Sequence, residues 1–320
     1  MTRDNGTYHY LFGPVPSRRL GKSLGVDIVP LKTCTQNCLY CQLGRDAPVT
    51  LQRKVYVPTE AVLDELRRRI AEGLEADFIT VSGSGEPTLH SELGVLLDGI
   101  KALTAVPVAV ITNGTLLHEP QVRQDCAKAD VVLPSLDAGD EATFGRINNP
   151  HPDLDFRTFV EGLCRFRDAY KGQIWLEVFF CKDINTDDDS IEKIARLIAK
   201  IRPDRIQLNT AVRPVTAPEA LLVGRDELER IAEKLHPKAE IIADFAPHDM
   251  RAADVQAGQT EAILAMLRRR PCSLEDICKG LSLSPENVRP VMDRLVKTRR
   301  VLPDTISGTE FYKINITDRI

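Results

Sequence analysis

Three of the chain's eight cysteines fall within eight consecutive residues, Cys34-Thr35-Gln36-Asn37-Cys38-Leu39-Tyr40-Cys41. Three thiolates this close on one segment can surround a single metal centre, and soft sulfur ligands select iron–sulfur clusters or zinc. A 4Fe–4S cluster held by three cysteines keeps one iron without a protein ligand, open to a small molecule. Structural zinc closes a shell of four, usually with paired C-x2-C knuckles. Only Cys38 and Cys41 form such a pair here, so a zinc site would need a distant partner such as Cys181 or His90. The other five cysteines have no ligand spacing. Cys126, Cys164 and Cys181 sit in apolar patterns and read as core residues, while Cys272 and Cys278 flank a helix start.

The elements that must position this loop follow from the hydrophobic pattern. The chain has 320 residues, 43% apolar and 28% charged. That is enough to bury a core, and at roughly 150 residues per domain it suggests about two domains. Strands are expected near Leu24–Pro30, Phe78–Ser82, Val108–Thr112, Val131–Ser135, Ile174–Cys181 and Ile206–Thr210. Helical patterns lie between them at Thr59–Gly73, Glu92–Leu103, Glu119–Ala127, Phe156–Tyr170 and Ser190–Ile201. Nearly continuous apolar strands alternating with helices imply a parallel sheet covered on both faces. The expected fold class is α/β, a partial (βα)6 TIM-like barrel whose ligand site lies at the carboxyl ends of the strands. Beyond it, Arg225–Leu235 reads as a helix and Ala239–Ala243 as one more strand. Residues 259–320 then pattern as three helices and a hairpin folded at Ser307-Gly308, a small winged helix-turn-helix-like domain. The expected division is an arm over 1–23, the partial barrel over 24–243, a linker over 244–258 and the small domain over 259–320.

C-x3-C-x2-C with an aromatic residue before the third cysteine, placed after the first strand of a βα series, resembles the radical S-adenosylmethionine (SAM) superfamily. The likeness runs through about residues 10–213. Ser82-Gly83-Ser84-Gly85-Glu86-Pro87-Thr88 resembles that family's Gly-Gly-Glu-Pro segment, with Ser84 in place of the first glycine of that segment. Thr112-Asn113-Gly114 and Ser135-Leu136-Asp137 end the next two strands, as in many members. The resemblance implies one 4Fe–4S cluster on Cys34, Cys38 and Cys41, with SAM chelated at the open iron. One-electron cleavage then yields a 5′-deoxyadenosyl radical that abstracts a substrate hydrogen. It implies SAM contacts from Tyr40, Gly83, Gly85, Glu86, Asn113, Ser135 and Asp137, with Lys182 and Asn185 as further candidates. It also implies a one-electron donor of flavodoxin or ferredoxin type. Gln207, Asn209 and Arg213 line the end of the sixth expected strand as substrate candidates. So do Arg18 and Arg19, in a loop shaped by two prolines and two glycines, where they could clamp a carboxylate or phosphate. That arm, with Gly-Glu-Pro-Thr-Leu-His and Ser-Leu-Asp-Ala, is similar to the wyosine-type tRNA-modifying subgroup. The substrate itself is unidentified, with RNA and protein both in view.

Charge divides the chain further. The formal net charge is −4, of which residues 259–320 contribute 11 basic and 8 acidic groups, a net of +3, and the remainder −7. No apolar run is long enough for a membrane helix, and the polar start lacks a signal-peptide core, so a cytoplasmic location is expected. Arg289, Arg294, Lys297, Arg299 and Arg300, read as one basic helix, offer a surface for phosphates. The rival reading is an iron–sulfur redox-sensing regulator that binds DNA through the winged helix. It would need the three cysteines but not the ordered motifs at three successive strand ends.

Overall fold

The structure is a computed structural model describing residues 8–41, 43, 48–211, 222–243, 260, 263–264, 266–267, 272–281, 283–306 and 309–315. It divides into two units, Met1–Asp244 and Phe245–Ile320.

The first unit is built on one eight-stranded sheet in chain order: β1 (Leu11–Ser17), β2 (Gly21–Val26), β3 (Phe78–Val81), β4 (Val108–Thr112), β5 (Val131–Pro134), β6 (Gln173–Phe180), β7 (Arg205–Thr210) and β8 (Ala239–Ile241). From β2 onward every pairing is parallel, which requires a crossover between neighbours. The crossovers are helical: α1 (Thr59–Ala71), α2 (Leu93–Leu103), α3 (Pro120–Cys126), α4 (Glu141–Asn148) with α5 (Phe156–Ala169), α6 (Asp188–Ile201) and α7 (Arg225–Leu235). Local chemistry sets several starts. Asp140, Asp155 and Asp187 each accept a hydrogen bond from the backbone N–H three residues on, capping α4, α5 and α6.

The sheet curls until its two edges approach. Arg18, in the turn after β1, donates to the Ile242 carbonyl just beyond β8 at 2.9 Å. Leu20 from the same turn packs against Ala109, Val131, Leu133 and Trp175, so the turn closes the interior of the curl from below. Among the described residues no ladder joins β8 to β1, and the barrel remains open.

The sheet therefore has eight strands where the pattern suggested six parallel ones. Ala239–Ile241 is the strand suspected at the end, and β1 was not expected at all. Its Gly-Pro-Val-Pro composition argues against a strand interior, but β1 is an antiparallel edge strand, where missing N–H donors cost least. The first expected strand also ends early, at Val26, so Asp27–Pro30 already belongs to the loop that carries the cysteines.

In the second unit, β9 (Cys272–Ser273) precedes α8 (Leu274–Leu281) and α9 (Pro285–Lys297), followed by the antiparallel pair β10 (Val301–Ile306) and β11 (Thr309–Ile314). β9 pairs with the outer side of β11. Cys272 and Cys278 lie in its apolar core with Ile277, Val288, Met292 and Leu295. Because α9 ends at Lys297, Arg299 and Arg300 lie beyond it rather than on one basic helix; all five basic residues are exposed.

Candidate functional site

The cysteine loop follows β2 and is sewn into the carboxyl ends of its neighbours by backbone hydrogen bonds on two sides. Toward the loop after β3, Lys32 N–H donates to the Ser84 carbonyl at 2.5 Å and Glu86 N–H to the Thr33 carbonyl at 2.9 Å. Toward the end of α4, Asn37 N–H donates to the Asn148 carbonyl at 3.0 Å and Leu39 N–H to that of Ile147 at 2.8 Å. The close passage on the first side explains Gly85: a Cβ there would stand 1.9 Å from the Thr33 carbonyl oxygen. Gly83 has φ +148, and a Cβ there would meet the Asp27 carboxylate at 2.5 Å. Both glycines thus admit a protein neighbour rather than open space. Asp27 in turn accepts from Ser84 N–H at 3.0 Å and Ser84 Oγ at 2.5 Å, holding the loop after β3 from below.

Each of the three thiols receives a different N–H donor. Asn113 Nδ2, from the loop after β4, lies 3.6 Å from Cys34 Sγ. Asn148 Nδ2, at the end of α4, lies 3.6 Å from Cys38 Sγ. Lys32 Nζ lies 2.9 Å from Cys41 Sγ. Burial pushes the Cys34 thiol up to about 11, with the nearby Glu86 carboxylate adding to it. Burial likewise pushes Cys38 well up, and charge on either neighbouring cysteine pushes it further. Thiols so placed ionise on binding a metal cation, which deprotonates coordinating sulfur.

Among the described residues, no group of three or more His, Cys, Asp or Glu side chains is gathered closely enough to cage one ion. A cluster asks for a different spacing, because each thiolate binds a separate iron. The distant zinc partners are also committed elsewhere. His90 meets the Val57 carbonyl through Nε2 and the Glu92 N–H through Nδ1, and Cys181 is fully buried beside Phe179 and Ile147. The soft donor set and the N–H groups around it fit an iron–sulfur cluster better than zinc.

Several expected SAM contacts have other work in the structure. Glu86 is buried, and its carboxylate accepts from Thr88 N–H, Thr88 Oγ1, Thr112 Oγ1 and Asn113 N–H at 2.6–3.0 Å. Burial raises its pKa against the pull of these bonds. It ties the loop after β3 to the loop after β4, with three of these bonds on Oε1 and one on Oε2. Asn185 accepts from Cys181 N–H and donates to the carbonyls of Asp137 and Phe179, so both amide hydrogens are spent on backbone. Asp137 accepts from Tyr40 Oη, Asn148 Nδ2 and Phe179 N–H. Burial nevertheless raises its pKa to about 6. Tyr40 stacks on Phe179 with ring centroids 3.8 Å apart. Ser135 forms an isolated bridge with Glu177, and Lys182 is exposed.

Beneath this layer, inside the curl, Arg19 pairs with Glu177 at 2.5 Å and Asn209 Nδ2 donates to the same carboxylate at 2.8 Å. A cavity of about 200 Å³ is lined here by Ser17, Arg19, Ser23, Thr80, Ser82 and Asn209. Gln207 lies on the same strand face as Asn209, fully buried, and both atoms of its amide lack a protein partner. Arg18 lines the same cavity while donating to the Ile242 carbonyl at the far edge of the sheet, and Arg213 lies outside the described residues.

Among the remaining cysteines, Cys126 and Cys181 are buried. Cys164 departs from the core reading: it is half-buried in a groove between α5 and α6. The residues missed by sequence reasoning are Asp27, Lys32 and Asn148. Lys32 stands two places before the first cysteine, and its burial has no local signature. Asn148 lies 110 residues from the thiol it meets.

The geometry is that of a βα sheet with a three-cysteine loop at its carboxyl edge, and a family model described as the radical SAM superfamily matches residues 28–198. The chain belongs to that superfamily, whose members use a 4Fe–4S cluster and SAM. Within it, the chain is a UPF0026 protein. It is 31% identical to a UPF0026 protein of Methanocaldococcus jannaschii, covering 96% of this chain and 97% of that one. It is also 37% identical over 307 residues to a Brachyspira hyodysenteriae protein named GTPase Obg; 96% of this chain aligns, and it spans 45% of that protein's length. Among solved structures, a radical SAM methyltransferase from Sphaerobacter thermophilus shares the fold with a TM-score of 0.52 at 16% identity, over 70% of this chain and 67% of that one. SuiB from Streptococcus suis does so with a TM-score of 0.51 at 16% identity, over 76% and 52%.

Proposed function

We propose that this chain is an enzyme that holds one 4Fe–4S cluster through Cys34, Cys38 and Cys41 and uses it to cleave SAM reductively. The observation that carries the reading is the convergence of three N–H donors from three different segments on the three thiols. When bound, the cluster and SAM supply one-electron cleavage of a carbon–sulfur bond and a 5′-deoxyadenosyl radical for hydrogen abstraction. The chain's own residues bind and orient. Tyr40, the backbone around Gly83 and Gly85, Asn113, Ser135 and Lys182 are the proposed SAM contacts. Glu86, Asp137 and Asn185 act on SAM indirectly, by fixing the loops those contacts stand on.

Substrate is assigned to the interior of the curl, where the unpartnered Gln207 amide and the Arg19–Glu177–Asn209 network wait for polar groups. Arg18, which lines that cavity, and Arg213 stand as further candidates. A flavodoxin or ferredoxin type protein is the proposed electron donor. The likeness to wyosine-type enzymes favours an RNA substrate over a protein, and the second unit, read as a winged helix, would then contact phosphates through Arg289, Arg294, Lys297, Arg299 and Arg300. The organised loops after β3, β4 and β5 favour the enzyme over a DNA-binding redox sensor, which has no use for them.

The test is anaerobic reconstitution with iron and sulfide, followed by dithionite and SAM. The expected product is 5′-deoxyadenosine. Its absence after verified cluster loading would sink the proposal.

A further inference from the structure

The Lys32 residue is only 6% exposed, and its ammonium sits 2.9 Å from Cys41 Sγ. Among the described residues no carboxylate lies within ion-pairing distance of it. A cation buried without a counter-charge is costly, so its place in the fold calls for an anion. The backbone adds to that cost: Lys32 has φ 60, a left-handed conformation that a side-chain-bearing residue adopts reluctantly. It is held there by its N–H bond to the Ser84 carbonyl. Two features that disfavour the folded chain thus converge on one residue, next to one thiol.

We infer that Lys32 tunes the reduction potential of the cluster, its charge stabilising the reduced form. Asn113 and Asn148 act in the same direction at Cys34 and Cys38 as weaker, dipolar donors. The inference rests on the cluster binding proposed above. A 4Fe–4S core with three thiolates is net negative and gains one further negative charge when it accepts an electron. A fixed positive charge beside a ligand sulfur therefore favours the reduced state over the oxidised one. Hydrogen bonds to sulfur, net charge and solvent exposure are the levers that set such potentials. Lys32 supplies the first two, and its burial limits the screening of its charge.

The test uses the full chain, reconstituted anaerobically as wild type, Lys32→Met, Lys32→Arg and Asn148→Leu. Each is titrated with dithionite and mediator dyes without SAM, and the reduced cluster is read by electron paramagnetic resonance. Iron and sulfide contents are measured alongside. At a fixed potential, Lys32→Met should lower the ratio of reduced to oxidised cluster by about tenfold, a downward shift of about 59 mV for a one-electron couple. Lys32→Arg should retain most of the wild-type potential, and Asn148→Leu should shift it less than Lys32→Met. A fully loaded Lys32→Met protein with wild-type potential overturns the inference. If that protein also binds SAM weakly, Lys32 is a SAM contact instead. If Lys32→Met loads no cluster but Lys32→Arg does, the charge serves to hold the cluster rather than to set its potential, and the inference fails. If neither variant loads while wild type does, Lys32 serves the fold and the inference fails. Failure of the wild type itself to load would instead remove the proposed function.

Discussion

Asp137 shows how one buried carboxylate couples the site to pH. Burial raises its folded pKa from 3.8 to about 6, despite three donors that favour ionisation. A carboxyl group with a raised folded pKa contributes most to stability while protonated, below its unfolded pKa. That contribution is lost as pH rises through about 6. The shift of roughly two units corresponds to about 3 kcal/mol. Urea unfolding of the cluster-free protein should therefore show Asp137→Asn gaining up to about 3 kcal/mol on wild type between pH 4 and pH 7. Glu86 titrates with the same sign, but it is present in both proteins and cancels in the difference. A difference that stays flat with pH would contradict the assignment. At the thiols, Cys38→Ala should abolish the visible absorption of the reconstituted cluster; an unchanged spectrum would remove Cys38 from the ligand set.

The cysteine loop depends on its neighbours as much as on its own residues. It lies between the loop after β3 and the end of α4, and the passage at Gly85 has no room for a methyl group against Thr33. Gly85→Ala should accordingly reduce cluster loading several-fold, measured as iron bound per chain. Gly145 in α4 is the natural contrast, because a Cβ there meets nothing within 4 Å. Gly145→Ala should leave loading intact and stabilise the protein by about 0.5–1 kcal/mol, read from the urea midpoint. Element by element, the helices and parallel strands were legible in the sequence because their burial imposes a repeating pattern. β1 was not, because an antiparallel edge tolerates the prolines that argue against a strand. α4 was passed over as a short helix containing Gly145, yet it forms one wall of the cysteine loop. Glu86 was readable as important from its motif, but not as a bracket between two loops.

Over the whole molecule, charge is uneven, −7 over residues 1–258 and +3 over 259–320, and the proposed RNA contact by the second unit rests on that contrast. Charge reversal of Arg289, Arg294 and Lys297, all exposed on α9, should weaken tRNA binding by about tenfold or more and flatten its salt dependence. Filter binding at several salt concentrations measures both. Identical affinity and slope would retire RNA contact by this surface, leaving SAM cleavage untouched. Within the first unit, the sequence alone determined the three-cysteine loop, the βα alternation and the carboxyl-edge location of the site. Those are properties of contiguous residues and of a hydrophobic period. Only the tertiary structure decided which polar groups meet. Arg19 and Glu177 are 158 residues apart, as Asn148 and Cys38 are 110 apart. Lys32 is near its cysteine in sequence, but whether a lysine there extends into water or is buried against sulfur depends on the chain folded over it. Period and spacing carry no record of that, because burial of a polar side chain is decided by its distant neighbours.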